Sequence, residues 1–150
     1  MEIRKAEKTD FYTIMSWIKD EHECKNWAGS KVRFPLEIEN LLIDVEYSKD
    51  NSYCLEDENT ILAFGQLLPQ NGEIIHMARI IVNPLCRGLG YGKIFCNSLL
   101  DIAEQLGYRK VSLNVYRNNT APVKLYKKLG FKEIAEKSSS DRCYMVFTMN

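Results

Sequence analysis

Apolar and polar positions along this chain follow two periods, and the switches between them outline its elements. Residues 2 to 6 alternate weakly and predict a first strand. Thr9 stands at a helix-cap position ahead of Phe11, Ile14, Met15, Trp17 and Ile18, whose spacing makes one apolar face. Residues 22 to 34 hold His22, Trp27, Gly29 and Phe34 without a sustained period and predict an irregular stretch. Past Pro35, a stripe of Leu36, Ile38, Leu41, Leu42 and Val45 predicts a second helix. Residues 53 to 56 and 61 to 68 read as hairpin strands turning through Asp57, Glu58 and Asn59. The Asn71-Gly72 pair marks a turn into an apolar run from 74 to 82.

Beyond that run, Phe95, Leu99, Ile102, Ala103 and Leu106 share one helical face that stops at Gly107. Residues 110 to 116 alternate, with Val111, Leu113 and Val115 on one side and Ser112, Asn114 and Tyr116 on the other. A short helix over 122 to 129 and two last strands, about 131 to 136 and 142 to 149, finish the pattern. Two early helices, a meander, then strand–helix–strand–helix–strand predict an α+β order with a mixed sheet in one domain, 1 to 150.

A chain of 150 residues can bury about two-thirds of its unfolded surface in one core. Its 20 basic and 20 acidic side chains cancel, so charge gives no argument for nucleic acid or an anionic membrane as partner. No apolar run reaches the roughly 20 residues of a membrane span, and the opening Met-Glu-Ile-Arg-Lys is not a signal-peptide start. Cys24, Cys54, Cys86, Cys96 and Cys143 are odd in number and include no C-x-x-C pair. They predict reduced thiols in a cytoplasmic protein, with no metal site. Cys86 is either a reactive thiol beside the adjoining glycines or an inert small residue.

The candidate chemistry lies just after the apolar run, in Val82-Asn83-Pro84-Leu85-Cys86-Arg87-Gly88-Leu89-Gly90-Tyr91-Gly92-Lys93. A strand, a glycine turn and a helix start in that order make a site for a phosphate-bearing ligand. Glycines let backbone N–H groups approach an anion, and the helix N-terminus favours negative charge. The dinucleotide fingerprint does not fit, because Lys93 stands where its third glycine belongs. The nucleoside-triphosphate loop fails too: Arg87 and Ile94 occupy the places of its first glycine and its Ser or Thr. A Rossmann-type nucleotide binder is therefore disfavoured.

What fits is Arg-x-x-Gly-x-Gly, as Arg87-Gly88-Leu89-Gly90-Tyr91-Gly92. This resembles the coenzyme A pyrophosphate loop of the GNAT superfamily of N-acetyltransferases. A second block, Asn119-Thr120-Ala121-Pro122-Val123-Lys124-Leu125-Tyr126-Lys127-Lys128-Leu129-Gly130-Phe131, is similar to the same superfamily's Asn-x-x-(Ala/Ser)-x-x-Leu-Tyr-x-x-Leu-Gly-Phe element. Pro122 replaces the usual small residue, a mild change in the first turn of a helix. The resemblance implies a mixed, mostly antiparallel central sheet flanked by helices, with central strands that splay to admit a cofactor. It covers residues 74 to 134 well, and the N-terminal half in element order only.

By that resemblance the pantetheine arm of acetyl-CoA would lie along Ile80, Ile81 and Val82. Its pyrophosphate would sit on the N–H groups of Arg87, Gly88, Leu89, Gly90, Tyr91 and Gly92, with Arg87 or Lys93 adding charge. Asn119 would hydrogen-bond the arm, and Asn114 belongs to the same cofactor set. Tyr126 would point its hydroxyl at the thioester sulfur and act as the acid. The base would be His76, at the place of a glutamate in the histone-modifying branch, with Glu73 as second candidate. The acceptor would be an amine of a small molecule, peptide or protein. Trp17, Asp20, Glu21, Glu23 and Trp27 offer acid and aromatic groups that suit a cationic amine, or else a solvated acidic face over two core tryptophans. The family also implies pairing of two copies through the last strands. A reading from another class is a coenzyme A-binding module or sensor with the same fold and little catalysis, favoured by the lack of an obvious carboxylate base on the strand.

Overall fold

Burial alternates residue by residue along Ile74–Val82, with Ile75, Met77, Arg79 and Ile81 inside. That run is strand β4 of a seven-stranded, mostly antiparallel sheet in a computed structural model that describes residues 1–150. The other strands are β1 (Glu2–Lys5), β2 (Ser52–Asp57), β3 (Thr60–Pro69), β5 (Lys110–Tyr116), β6 (Lys132–Glu133) and β7 (Arg142–Thr148), in the order β1-β2-β3-β4-β5-β7-β6. Five α-helices accompany them: α1 (Asp10–Ser16), α2 (Glu21–Ala28), α3 (Ile38–Asp44), α4 (Tyr91–Gln105) and α5 (Thr120–Leu129). The α+β order, the mixed sheet and its mostly antiparallel pairing are as expected. The chain divides into two compact units, Met1–Gln66 with Arg79–Tyr91, and Leu67–Ala78 with Gly92–Asn150.

The first unit is built on the apolar stripes of its three helices. Phe11, Ile14, Trp17, Trp27, Leu41 and Val45 join Phe64 and Ile81 in one buried cluster. Phe11 meets Phe64 edge-on at 5.1 Å and Tyr47 at 5.4 Å. Truncating a fully buried ring such as Phe64 to alanine costs about 3–5 kcal/mol.

Two expectations fail in this unit. Residues 22 to 34 are not irregular throughout, because α2 occupies most of the first half. Asp20 caps it, its carboxylate accepting from the Glu23 N–H at 2.8 Å, and Cys24 and Trp27 bury its inner face. Thr9 makes no capping bond and is itself helical in backbone. Asp10 instead turns its carboxylate to the Glu7 N–H at 2.7 Å and to Arg4 at 2.8 Å.

In the second unit α4 buries Phe95, Cys96, Leu99, Leu100 and Ala103. Leu106, expected on that face, is 58% exposed, because it lies in the closing turn where the chain leaves the helix at Gly107, φ 92. Strand β5 pairs with β7 over its whole length, from Lys110↔Thr148 to Tyr116↔Arg142. Its parallel ladder with β4 covers three pairs only, Ile74↔Lys110, Ile75↔Val111 and His76↔Ser112. The strand expected over 131 to 136 shortens to Lys132–Glu133, and a 3₁₀ turn, Ala135–Lys137, takes the rest. Gly130 ends α5 at φ 108, with the Gly130 N–H bonded to the Lys127 carbonyl and the Phe131 N–H to the Tyr126 carbonyl.

Candidate functional site

Asn83 fixes the exit from β4. Its N–H donates to the Leu62 carbonyl at 2.9 Å and its side-chain amide to the Ile61 carbonyl at 3.0 Å. Its Oδ1 accepts from the Leu85 N–H at 3.0 Å, which starts a 3₁₀ turn, Pro84–Cys86. Arg87 then returns to an extended backbone and places its Nε 3.3 Å from the Val82 carbonyl.

Gly88 and Gly90 take φ 79 and φ 88, which side chains with a Cβ rarely adopt. A Cβ would meet nothing within 4 Å at either glycine, so torsion and not space demands glycine there. The backbone N–H groups of Arg87, Gly88, Leu89 and Gly90 donate to no acceptor in the chain, and all four residues are exposed. Helix α4 follows at once and adds the unpaired N–H groups of its first turn, with no acidic side chain to occupy them. Lys93 stands exposed in that same turn. An anion fits this run of open donors.

In the second unit, His76 is half-buried on β4, its Nδ1 2.8 Å from Ser112 Oγ and 3.4 Å from Gln70 Nε2. Ser112 is fully buried and also lies 3.3 Å from Gln70 Oε1. Glu73 is exposed in the turn before β4, where its carbonyl takes the N–H groups of Arg109 and Lys110. Asn114 is exposed on β5, opposite Tyr144. Asn119 caps α5 in position only, since its side chain makes no capping bond.

Tyr126 is the buried residue of α5, packed edge-on against Phe131 at 5.8 Å. Burial pushes its phenol well above the ordinary value, and the nearby Cys96 adds to the effect. Cys96 is itself pushed up to about 12 by burial. The Tyr126 hydroxyl makes no hydrogen bond to another residue of the chain, and its phenol stays protonated through the neutral range. All five cysteines are free.

Trp17 and Trp27 prove to be core residues, 6% and 9% exposed. Asp20 is engaged as a cap, and Glu23 accepts from the Lys19 N–H at 2.9 Å. The acidic and aromatic set from 17 to 27 is therefore largely structural. The motifs did not bring out Gln70, Ser112 and Arg79, and they gave Asn83, inside the loop stretch, no role. Arg79 had a visible signal, a lone charge inside an apolar run. No group of three or more His, Cys, Asp or Glu side chains is placed to share a metal ion, and no helix is long and apolar enough to cross a membrane.

The mixed sheet, with a glycine loop heading a 15-residue helix, is a fold shared with solved acetyltransferase structures. The acetyltransferase (GNAT) family model matches residues 11–131, and the chain belongs to that family. Among solved structures it is similar to yncA from Salmonella typhimurium, whose structure holds its cofactor acetyl-CoA, with TM-score 0.76, 18% identity and coverage of 100% of this chain and 94% of that one. It is similar also to the ribosomal-protein-alanine N-acetyltransferase of Brucella melitensis, with TM-score 0.77, 16% identity and coverage of 99% and 100%. A spermidine N-acetyltransferase chimera of the Vibrio cholerae SpeG and hSSAT matches with TM-score 0.74, 20% identity and coverage of 99% and 96%.

Proposed function

We propose that this chain moves an acetyl group from acetyl-CoA to a primary amine of a small molecule, peptide or protein. The observation that carries the reading is the glycine loop: four consecutive backbone N–H groups without an internal acceptor, at the head of a 15-residue helix, in a chain of the acetyltransferase family. Acetyl-CoA supplies the acetyl group as a thioester. Residues 87–92 bind its pyrophosphate, with Arg87 and Lys93 adding charge. Ile80, Ile81 and Val82 pair with the amide-bearing arm, and Asn114 and Asn119 offer it side-chain amides.

An alkyl amine with a pKa near 10.4 is neutral in fewer than about one molecule in a thousand at pH 7. Attack therefore gains from a base that removes a proton. His76 is that base, with its ring direction set by Ser112, and Glu73 is the second candidate. Tyr126, protonated by its burial, offers its hydroxyl as a hydrogen-bond donor and acid to the departing sulfur. Two observations favour the sensor reading: His76 Nδ1 is already engaged by Ser112, and no carboxylate stands on β4.

Thiol release from acetyl-CoA against a panel of polyamines, amino-terminal peptides and lysine peptides separates the two. Acceptor-dependent release supports transfer, and binding of acetyl-CoA without release from any class supports the sensor.

A further inference from the structure

Arg79 breaks the pattern of its own strand. It sits inside β4 between Ala78 and Ile80, yet its φ is 55. The other non-glycine residues with positive φ are Glu46, just past α3, and Glu58 and Asn59, in the turn between β2 and β3. A left-handed residue carrying a Cβ is disfavoured and persists only where its surroundings over-determine it.

Three contacts within the first unit do this. Trp27 Nε1, on α2, donates to the Arg79 carbonyl at 2.9 Å. Arg79 Nη1 donates to Gln66 Oε1 at 2.7 Å and reaches the Val45 carbonyl at 3.4 Å. Gln66 is fully buried and held in turn, donating its amide to the Val45 carbonyl and to Ser52 Oγ, each at 3.0 Å. Both Val45 contacts fall on the carbonyl that ends α3.

The arginine is poorly explained as packing. It is 9% exposed, forms no ion pair, and its Nε has no partner. An unbranched apolar side chain could fill the same space without burying a charge. What arginine adds is directed bonds that fix the backbone from which it springs.

We infer that Trp27, Arg79 and Gln66 are positioning residues that lock the left-handed turn of β4 and so aim Ile80, Ile81 and Val82, the edge on which the acyl donor's arm is read. The inference rests on the proposed acetyl-CoA site for its second half, while the locked backbone stands on the contacts alone.

Trp27→Phe tests it, keeping a ring beside Phe64 and removing only the N–H donor. Ile14→Val, in the same buried cluster, controls for general loosening of the core. Two readouts are taken: backbone chemical shifts of residues 78–82 without ligand, and the acetyl-CoA dissociation constant by calorimetry. In Trp27→Phe the shifts of residue 79 should leave the left-handed range, and the dissociation constant should rise about tenfold, the scale of one lost hydrogen bond. Ile14→Val should leave both at the wild-type values.

Unchanged shifts and affinity in Trp27→Phe would overturn the inference, as would equal changes in Ile14→Val. Should Trp27→Phe not fold, Gln66→Met removes the Arg79 anchor instead and carries the same expectations. A wild-type chain that binds no acetyl-CoA would overturn the donor role and the proposed function together. Wild-type binding with an indifferent Trp27→Phe would overturn this inference alone.

Discussion

Residues 87–90 lie open to solvent and offer backbone N–H groups, whereas Tyr126 is 7% exposed and offers a side-chain hydroxyl. A charged donor arriving from water, as proposed, would need that exposure, and Gly88 and Gly90 hold their torsions with nothing packed against them. Tyr126 needs the reverse. Removed from water and packed on Phe131, its phenol keeps its proton to higher pH than a free tyrosine would. On the proposed function the difference teaches that affinity and rate should separate, the first set by the loop's torsions and the second by the buried Tyr126 hydroxyl.

The sharpest break is Tyr126→Phe. It should lower kcat about 100-fold, the scale of one general acid, with the acetyl-CoA dissociation constant unchanged, as steady-state kinetics and calorimetry would show. The raised phenol has a second consequence. A group whose folded pKa lies above its unfolded value of 10.0 contributes stability that is fully present below pH 10 and is lost as pH rises through the folded value. Wild type should therefore lose stability above pH 10 more steeply than Tyr126→Phe in thermal melts, and Tyr126 should supply no rate decline below pH 10.

Gly90→Val comes next, and it should act on the opposite side of the comparison. A β-branched residue at φ 88 is strained by about 1–2 kcal/mol, which should weaken acetyl-CoA binding about tenfold while kcat at saturation holds. Arg87→Ala should give a smaller loss of affinity, about threefold at low salt, because an exposed charge near a helix N-terminus is screened by water. Titrations near 1 M salt, where screening acts within about 3 Å, should erase the difference.

The smallest effect lies outside both regions. Glu133 is held down to about 2 chiefly by its hydrogen bond from Arg117, at 2.7 Å. A depressed carboxylate contributes stability above its unfolded value of 4.5 and loses it as pH falls toward 2. Glu133→Gln should lower Tm slightly at pH 7, the gap closing near pH 2, and leave both affinity and rate untouched.

These regions differed also in how far the sequence revealed them. The strand Ile74–Val82, the glycines behind it and the Gly130 cap follow from local rules, because torsion and capping depend on neighbours in the chain. Tyr126 and the loop were read from two family motifs, and Tyr126 is also an aromatic packed against Phe131. Helix α2 was missed because its inner face has only Cys24 and Trp27, a stripe too thin to show a period, and its cap Asp20 sits among other charges. Ser112 was expected on the side opposite Val111, yet it is fully buried, drawn into bonds with His76 and Gln70, 36 and 42 residues away. Arg79 is the clearest case. Its charge was visible, but its backbone is set by partners 13, 34 and 52 residues distant, which no local pattern encodes.

The most direct test of the account is calorimetric titration of acetyl-CoA into the wild-type chain and into Gly90→Val, side by side. The account predicts one-to-one binding by wild type and about tenfold weaker binding by the variant. Equal affinities would show that the open N–H groups of residues 87–90 do not hold the donor. No binding by either chain would contradict the acetyl-CoA site itself.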